Sequence, residues 1–349
     1  MSRLFTRSSI ALCFLFTLVA CGGSQGTAQN AGANEAASAA GAADLRVGVA
    51  YSRGGRGDKS FNDSAGAGVD QAKAALGIEV KELSPNAAGS DLEEILRLLA
   101  ETGHNPVLAV GFFYAQPLMK VAPAYPRTHF VIIDDATVKL PNVTNVVFRE
   151  EQASYLVGAA AALKSATGRI GFVGGVQTPP QEKFLAGYAA GARAIDPKIR
   201  LSSVFMTQPP DFSGFSSPDK AREAARGMYD SGADIVYHAA GASGLGVFQA
   251  AKAAHKWAIG VDVDQRRTVA PDLSEVILTS ATKQIDVAVR RVIEEQAAGK
   301  AVYGLREFGL DEDGVGYATT GSDLADIRPR LDEIRKRIIA GEIDVPVTP

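Results

Sequence analysis

From Leu45 onward the chain alternates two kinds of pattern. Short apolar, β-branched runs end in Gly, Ser or Asp, and amphipathic stretches follow them. The runs are RVGVAY (46–51), IEVKEL (78–83), PVLAVGF (106–112), HFVIID (129–134), TNVVF (144–148), RIGFVGG (169–175), LSSVFM (201–206), ADIVYHAA (233–240), WAIGVD (257–262) and VILTSA (276–281). Intervening stretches such as DLEEILRLLAETG and SPDKAREAARGMYDSG carry apolar residues at i, i+3 and i+4, the spacing of a helix with one buried face. The second opens on Ser-Pro-Asp and closes on Gly232, a sound start and stop. Strands alternating with helices predict βαβ units and parallel sheets. The order repeats, with RVGVAY opening one doubly wound set at Arg46 and RIGFVGG a second at Arg169. The expectation is an α/β protein of two doubly wound lobes. After VILTSA, a helix with Ile285, Ala288, Val289, Val292 and Ile293 on one stripe, a further short strand and a last helix, LADIRPRLDEIRKRIIAG, finish the chain.

The first residues change this picture. Arg3 and Arg7 precede an apolar run from Ile10 to Val19, which has signal-peptide length and is too short for a comfortable bilayer span. The run ends in Leu18-Val19-Ala20-Cys21, similar to the lipobox at which bacterial lipoproteins are acylated and cut. The expectation is a signal peptide over 1–20, lipid on Cys21, and a flexible tether over 21–43, whose Gly, Ala, Ser, Asn and Gln cannot bury a core. Cys13 and Cys21 are the only cysteines, so the mature globular part has neither disulfide nor thiol chemistry. Net charge is −3 with dispersed basic residues, which gives no footprint for nucleic acid. About 300 residues remain, enough for two domains of ordinary size.

In open parallel sheets ligands lie outside the carboxyl ends of the strands. The loops after Tyr51, Val110, Ile133, Val173, Met206, Ala239, Val261 and Thr279 are therefore the candidates. They offer Asp58, Phe61, Asn62, Phe112, Asp134, Phe212, Phe215, Gly241, Asp262 and Lys283. A flat heteroaromatic ring between two phenylalanines would gain about 1–3 kcal/mol per stack. A strand-end carboxylate can accept from neighbouring sugar hydroxyls, and an ammonium can donate to them. An asparagine donates and accepts in one plane, matching a purine edge.

GDKSFND, GFFYAQPLMKVAPAYPRTHFVIID, NVTNVVFREEQASYLVGAAAAL, GADIVYHAAGASGLGVFQAA, IGVDVDQ and VILTSATKQIDVAV together resemble the basic membrane protein family. These are the PnrA-like purine-nucleoside-binding lipoproteins of ABC transporters, and the similarity runs from about Leu45 to the end. It implies the type I periplasmic binding protein fold, two α/β lobes joined by three crossings. Its expected lobes are 44–147 plus about 278–303, and 148–277 plus about 304–349. It further implies that Phe61 stacks on the base and Asn62 bonds the base edge, with Asp134 bonding it from the other side. Gly241, Asp262 and Lys283 would hold the ribose. The second stacking aromatic is Phe215 or Phe212; Phe215 keeps the better spacing to Pro218, and the Pro/Gly-rich segment FMTQPPDFSGFSSPDK is longer than the family pattern.

Plainer roles compete at several positions. Asp58 reads first as a helix cap, at least one of Phe112 and Phe113 as core, and His238 as a strand-end core residue. Asp262 and Asp264 lack a third acid at calcium-loop spacing, so no metal is expected, and no cofactor. GASGLG lacks the Lys and Ser/Thr of a phosphate loop. A nucleoside hydrolase would need several acids clustered around calcium and a phosphorylase a phosphate clamp, and Ser243 has no evident His and Asp partners, so no enzyme is expected. The expectation is a monomeric, lipid-anchored extracytoplasmic receptor that binds a purine nucleoside and meets ABC permease subunits. A sugar or autoinducer receptor of the same fold, or a nucleoside-sensing lipoprotein without a transporter, are the alternatives.

Overall fold

A computed structural model describes residues 45–349 apart from residue 87. The expected signal peptide, tether and Cys21 lie outside the described residues. Among the described residues no helix is long and apolar enough to cross a membrane.

The first half contains β1 (Arg46–Ala50), α1 (Phe61–Leu76), β2 (Glu79–Leu83), α2 (Leu92–Glu101), β3 (Val107–Val110), α3 (Ala115–Val121), β4 (Phe130–Ile133) and β5 (Val143–Phe148). The second contains α4 (Glu150–Lys164), β6 (Arg169–Val176), α5 (Pro179–Ile195), β7 (Arg200–Thr207), α6 (Pro218–Asp230), β8 (Ile235–Ala239), α7 (Gly244–Ala254), β9 (Trp257–Asp262), α8 (Pro271–Ser274) and β10 (Ile277–Lys283). The chain ends with α9 (Ile285–Ala297), β11 (Gly304–Phe308), β12 (Val315–Tyr317) and α10 (Arg328–Ile339). Every strand expected from the apolar runs is present, within three residues at each end.

Two six-stranded sheets result, in the orders β11-β5-β4-β3-β1-β2 and β12-β10-β9-β8-β6-β7. The first is parallel throughout, and in the second only β12 runs antiparallel, against β10. The continuous apolar runs are split by the period of two. Leu108, Val110, Val131 and Ile133 enter one buried cluster, while Val107, Ala109, Phe130 and Ile132 enter another on the opposite face. Both faces are covered by helices, and the two sheets share the doubly wound order.

The crossings fall after β5, after β10 and after β11, so there are three. Their places differ from the expected boundaries. β10 pairs with β9 in the second sheet, so the chain leaves that lobe at residue 284 rather than near 278. β11 pairs with β5 in the first sheet, so the last return comes after Phe308 rather than near 303. An apolar strand reads alike in either lobe, and its membership is decided by a long-range pairing. In the second lobe α4 and α5 pack closely, and a Cβ on Gly187 of α5 would stand 2.0 Å from the Glu151 carbonyl of α4. That approach brings the side chains at the start of both helices together below the cleft.

Candidate functional site

The carboxyl ends of both sheets meet at one cavity of about 250 Å³. All eight expected strand ends or their loops contribute to its wall, and Phe61, Asn62, Asp134, Phe215, Gly241, Asp262, Lys283, Asp58, Phe112 and Phe212 all line it. The wall also includes Phe113, which the sequence reads only as core, and Arg53, Thr178, Gln181 and Phe184, which the sequence did not single out.

The loop after β1 is built by two acids. Asp58 Oδ1 accepts from the Ser60 and Asp63 amides at 3.0 and 3.1 Å, and Oδ2 from the Asn62 amide at 2.8 Å. Asp63 accepts in turn from the Gly57 and Lys59 amides at 2.6 and 3.0 Å. These bonds satisfy the free amides at the start of α1 and set Phe61 and Asn62 as its first two residues. Asp58 is thus the cap expected of it, and burial pushes its carboxyl up despite the three amides. Phe61 is half-buried, packed on the core on one side and open to the cavity on the other. Asn62 is buried, and its Oδ1 accepts from the Ser52 amide at 3.0 Å. That bond uses one of the oxygen's two lone pairs, and the amide's N–H donors make no bond among the described residues.

Asp134 directly follows β4 and Asp262 ends β9, both with left-handed backbones, φ 67 and 64. Such conformations cost about 1–3 kcal/mol and concentrate at functional sites. Asp134 Oδ2 accepts from Lys283 Nζ at 2.6 Å. Its Oδ1 is buried and has no partner among the described residues. Burial pushes the Asp134 carboxyl above the usual range, Lys283 pulls it back, and Glu150 adds to the rise. Asp262 accepts from the Ser60 hydroxyl across the lobes. Burial raises its carboxyl to about 6 against the pull of Lys283 and Ser60. Lys283 is 2 % exposed and also donates to Glu150 Oε1 at 3.0 Å. Burial would neutralise it, but Asp134, Glu150 and Asp262 together hold it firmly charged.

The aromatic wall divides between two residues. Phe215 lies over the backbone of Gly175, where a Cβ would stand 2.5 Å from its ring, and beside Gly241. Phe212 turns instead to the first lobe. Its ring meets Phe113 edge-on at 4.6 Å and the Arg53 guanidinium at 5.3 Å, and Arg53 is 5.6 Å from Phe113. Phe112 stacks on Phe113 at 4.2 Å. Neither Phe112 nor Phe113 is buried, contrary to expectation; the buried aromatic there is Tyr114, whose hydroxyl donates to the Tyr51 carbonyl at 2.7 Å. Further ties cross the cleft: Gln265 Nε2 donates to the Lys59 carbonyl at 3.1 Å, alongside the Ser60–Asp262 bond. The lobes are held closed on the cavity.

The remaining chemistry is spent on structure. Ser243 Oγ donates to the Gly214 carbonyl and accepts from the Ser217 amide, both at 2.7 Å. His238 is buried against Phe248, and burial drops its imidazole to about 4. Asp264 is engaged by Thr320 and, at 3.1 Å, by Arg267. Of the residues that sequence reasoning missed, Glu150 had one signal. Two adjacent acids open a helix that continues almost entirely apolar, SYLVGAAAAL.

The family described as "ABC transporter substrate-binding protein PnrA-like" matches residues 45–348. An uncharacterized lipoprotein of Pyrococcus furiosus is 33 % identical over 328 residues, covering 86 % of this chain and 80 % of that protein. The "ABC transporter nucleoside-binding protein BmpA" of Lactococcus lactis is 29 % identical over 326 residues, with 87 % and 89 % covered. Among solved structures, the ABC transporter solute-binding protein of Aeropyrum pernix K1 superposes with a TM-score of 0.76 at 28 % identity, covering 86 % of this chain and 94 % of that one.

Proposed function

The chain belongs to the PnrA-like family of ABC transporter substrate-binding proteins, and on that premise we propose that its ligand is a purine nucleoside. As a substrate-binding protein it captures a solute and makes or breaks no bond. The reading rests on one juxtaposition. The donors of Asn62 and the unpartnered Oδ1 of Asp134 border the same cavity as the faces of Phe61 and Phe215. That set suits the edge and faces of a flat base. Asp262 and Lys283 suit the hydroxyls of the attached ribose, and Gly241 lets the sugar approach the backbone. The nucleoside-binding relative in Lactococcus lactis supports the same reading. A sugar receptor would use Asp262 and Lys283 equally well, but it would have no use for edge-directed groups between aromatic rings.

An ionised Asp134 can only accept. Inosine and guanosine carry N1–H where adenosine has a bare acceptor, so both should bind more tightly than adenosine near neutral pH. Lowering the pH protonates Asp134 and should improve adenosine binding. Titration calorimetry of the soluble domain starting at Asp44 with inosine, guanosine, adenosine and ribose, at two pH values, tests this. Equal, pH-independent affinity for adenosine contradicts the role of Asp134, and tight binding of ribose alone contradicts the nucleoside reading.

We further place the protein on the extracytoplasmic face of the cell membrane. Lipid on Cys21 anchors it, and it serves permease subunits as a monomer. The lipobox-like Leu18-Val19-Ala20-Cys21 and the lipoprotein relative support this. Metabolic labelling with a palmitate analogue, in the native chain and in Cys21→Ala, tests the anchor.

A further inference from the structure

Resting on the reading of Lys283 as a donor to ribose, we propose that Glu150 is the positioning residue that aims the Lys283 ammonium into the cavity. Glu150 opens α4 just past the first crossing, is 3 % exposed, and stands behind Lys283, outside the cavity wall. Its one hydrogen-bonded route to the cavity runs through Lys283.

An ammonium has three N–H donors. Asp134 takes one at 2.6 Å and Glu150 a second at 3.0 Å. Those acceptors come from different lobes and fix rotation about the Cε–Nζ bond. The third donor has no partner among the described residues, and Lys283 lines the cavity. The rings of Phe148, Phe61 and Phe184 stand 5.0, 5.4 and 5.8 Å from Nζ and crowd the other directions. Without Glu150 the ammonium would collapse onto Asp134, whose Oδ1 is also needed at the base edge.

A carboxylate this deep is costly unless paired. Its second oxygen lies 3.4 Å from Lys183 Nζ, and Lys183 also donates to the Phe148 carbonyl at 3.1 Å. Phe148 is the last residue of the first lobe before the crossing. The run Asp134, Lys283, Glu150, Lys183, Phe148 therefore ties the ligand-facing ammonium to the backbone at the first crossing between the lobes.

A merely structural acid and a positioning acid differ in what their removal costs. Calorimetric dissociation constants for inosine and 2′,3′-dideoxyinosine, in the native chain, Glu150→Gln and Glu150→Asp, separate them. The Gln variant should weaken inosine about tenfold, the scale of one charge-assisted bond, and leave the dideoxy analogue within about threefold. The preference for the ribonucleoside then shrinks. The Asp variant keeps the charge and should recover part of that preference; if the Gln variant does not fold, the Asp variant alone should still show the inosine-selective loss. Equal losses for both ligands, or no loss for either, overturn the proposal. Failure of the native chain to bind inosine overturns the site reading together with it, whereas native binding with an unchanged preference in the Gln variant overturns the proposal alone.

Discussion

Glu151 follows Glu150 on the first turn of α4, with its Oε2 buried and unpartnered among the described residues. Lys183 lies 3.8 Å away, too far for a good bond. Burial pushes its carboxyl up to about 7, with Lys183 pulling down and Glu150 pushing further. A carboxyl raised on folding binds its proton more tightly in the native state than in the unfolded one. Stability therefore falls as pH rises from the unfolded value of about 4.5 through about 7. Glu151→Gln removes the charge without changing the shape. The variant should exceed the native chain in stability by about 1–3 kcal/mol at pH 8, and by much less at pH 5. Urea unfolding at both pH values measures it, and a difference that does not change with pH contradicts the assignment. At this scale the sequence was partly legible. Residues on strand-end loops could be found, because the parallel-sheet rule names the loops. The roles of Glu150, Ser60 and Arg53 were not legible, because their partners lie 133, 202 and 159 positions away along the chain, at Lys283, Asp262 and Phe212.

The loop between β7 and α6 carries two phenylalanines with different work. Phe215 is held over Gly175 within its own lobe, while Phe212 reaches Phe113 and Arg53 of the other. An edge-on ring pair is worth about 0.5–1.5 kcal/mol beyond area, and a cation over a ring a similar amount. Those contacts bridge the two lobes, so opening the cleft would break them. Phe212→Ala should therefore weaken inosine, guanosine and adenosine by the same factor, about fivefold, chiefly through faster dissociation. Stopped-flow measurement with the three nucleosides checks it. A loss that depends on the base would mean that Phe212 itself stacks on the ligand. The elements were the most legible part of the molecule, since apolar runs flanked by Gly, Ser and Asp name strands whatever the fold. The crossings were not. β10 and β11 each fit either sheet by composition, and only the pairing with β9 or β5 assigns them.

The whole molecule is two doubly wound sheets whose carboxyl ends face one cavity, with groups from both lobes in its wall. A ligand can shift the balance between open and closed forms only by preferring one of them. On the proposed reading, Asn62 and Asp134 on one lobe, with Phe215 and Asp262 on the other, would create that preference. Inosine at a hundred times its dissociation constant should stabilise the protein by about 2.7 kcal/mol. It should also contract the particle in small-angle scattering, and ribose should do neither at equal concentration. On the proposed reading a purine base lies between Phe61 and Phe215, with Asp134 at its edge and Asp262 and Lys283 at its ribose. A crystal structure of the soluble domain grown with inosine tests it most directly. The account predicts the base stacked in that cleft with N1–H on Asp134 Oδ1; a cleft left empty, or filled by a simple carbohydrate in its place, contradicts it.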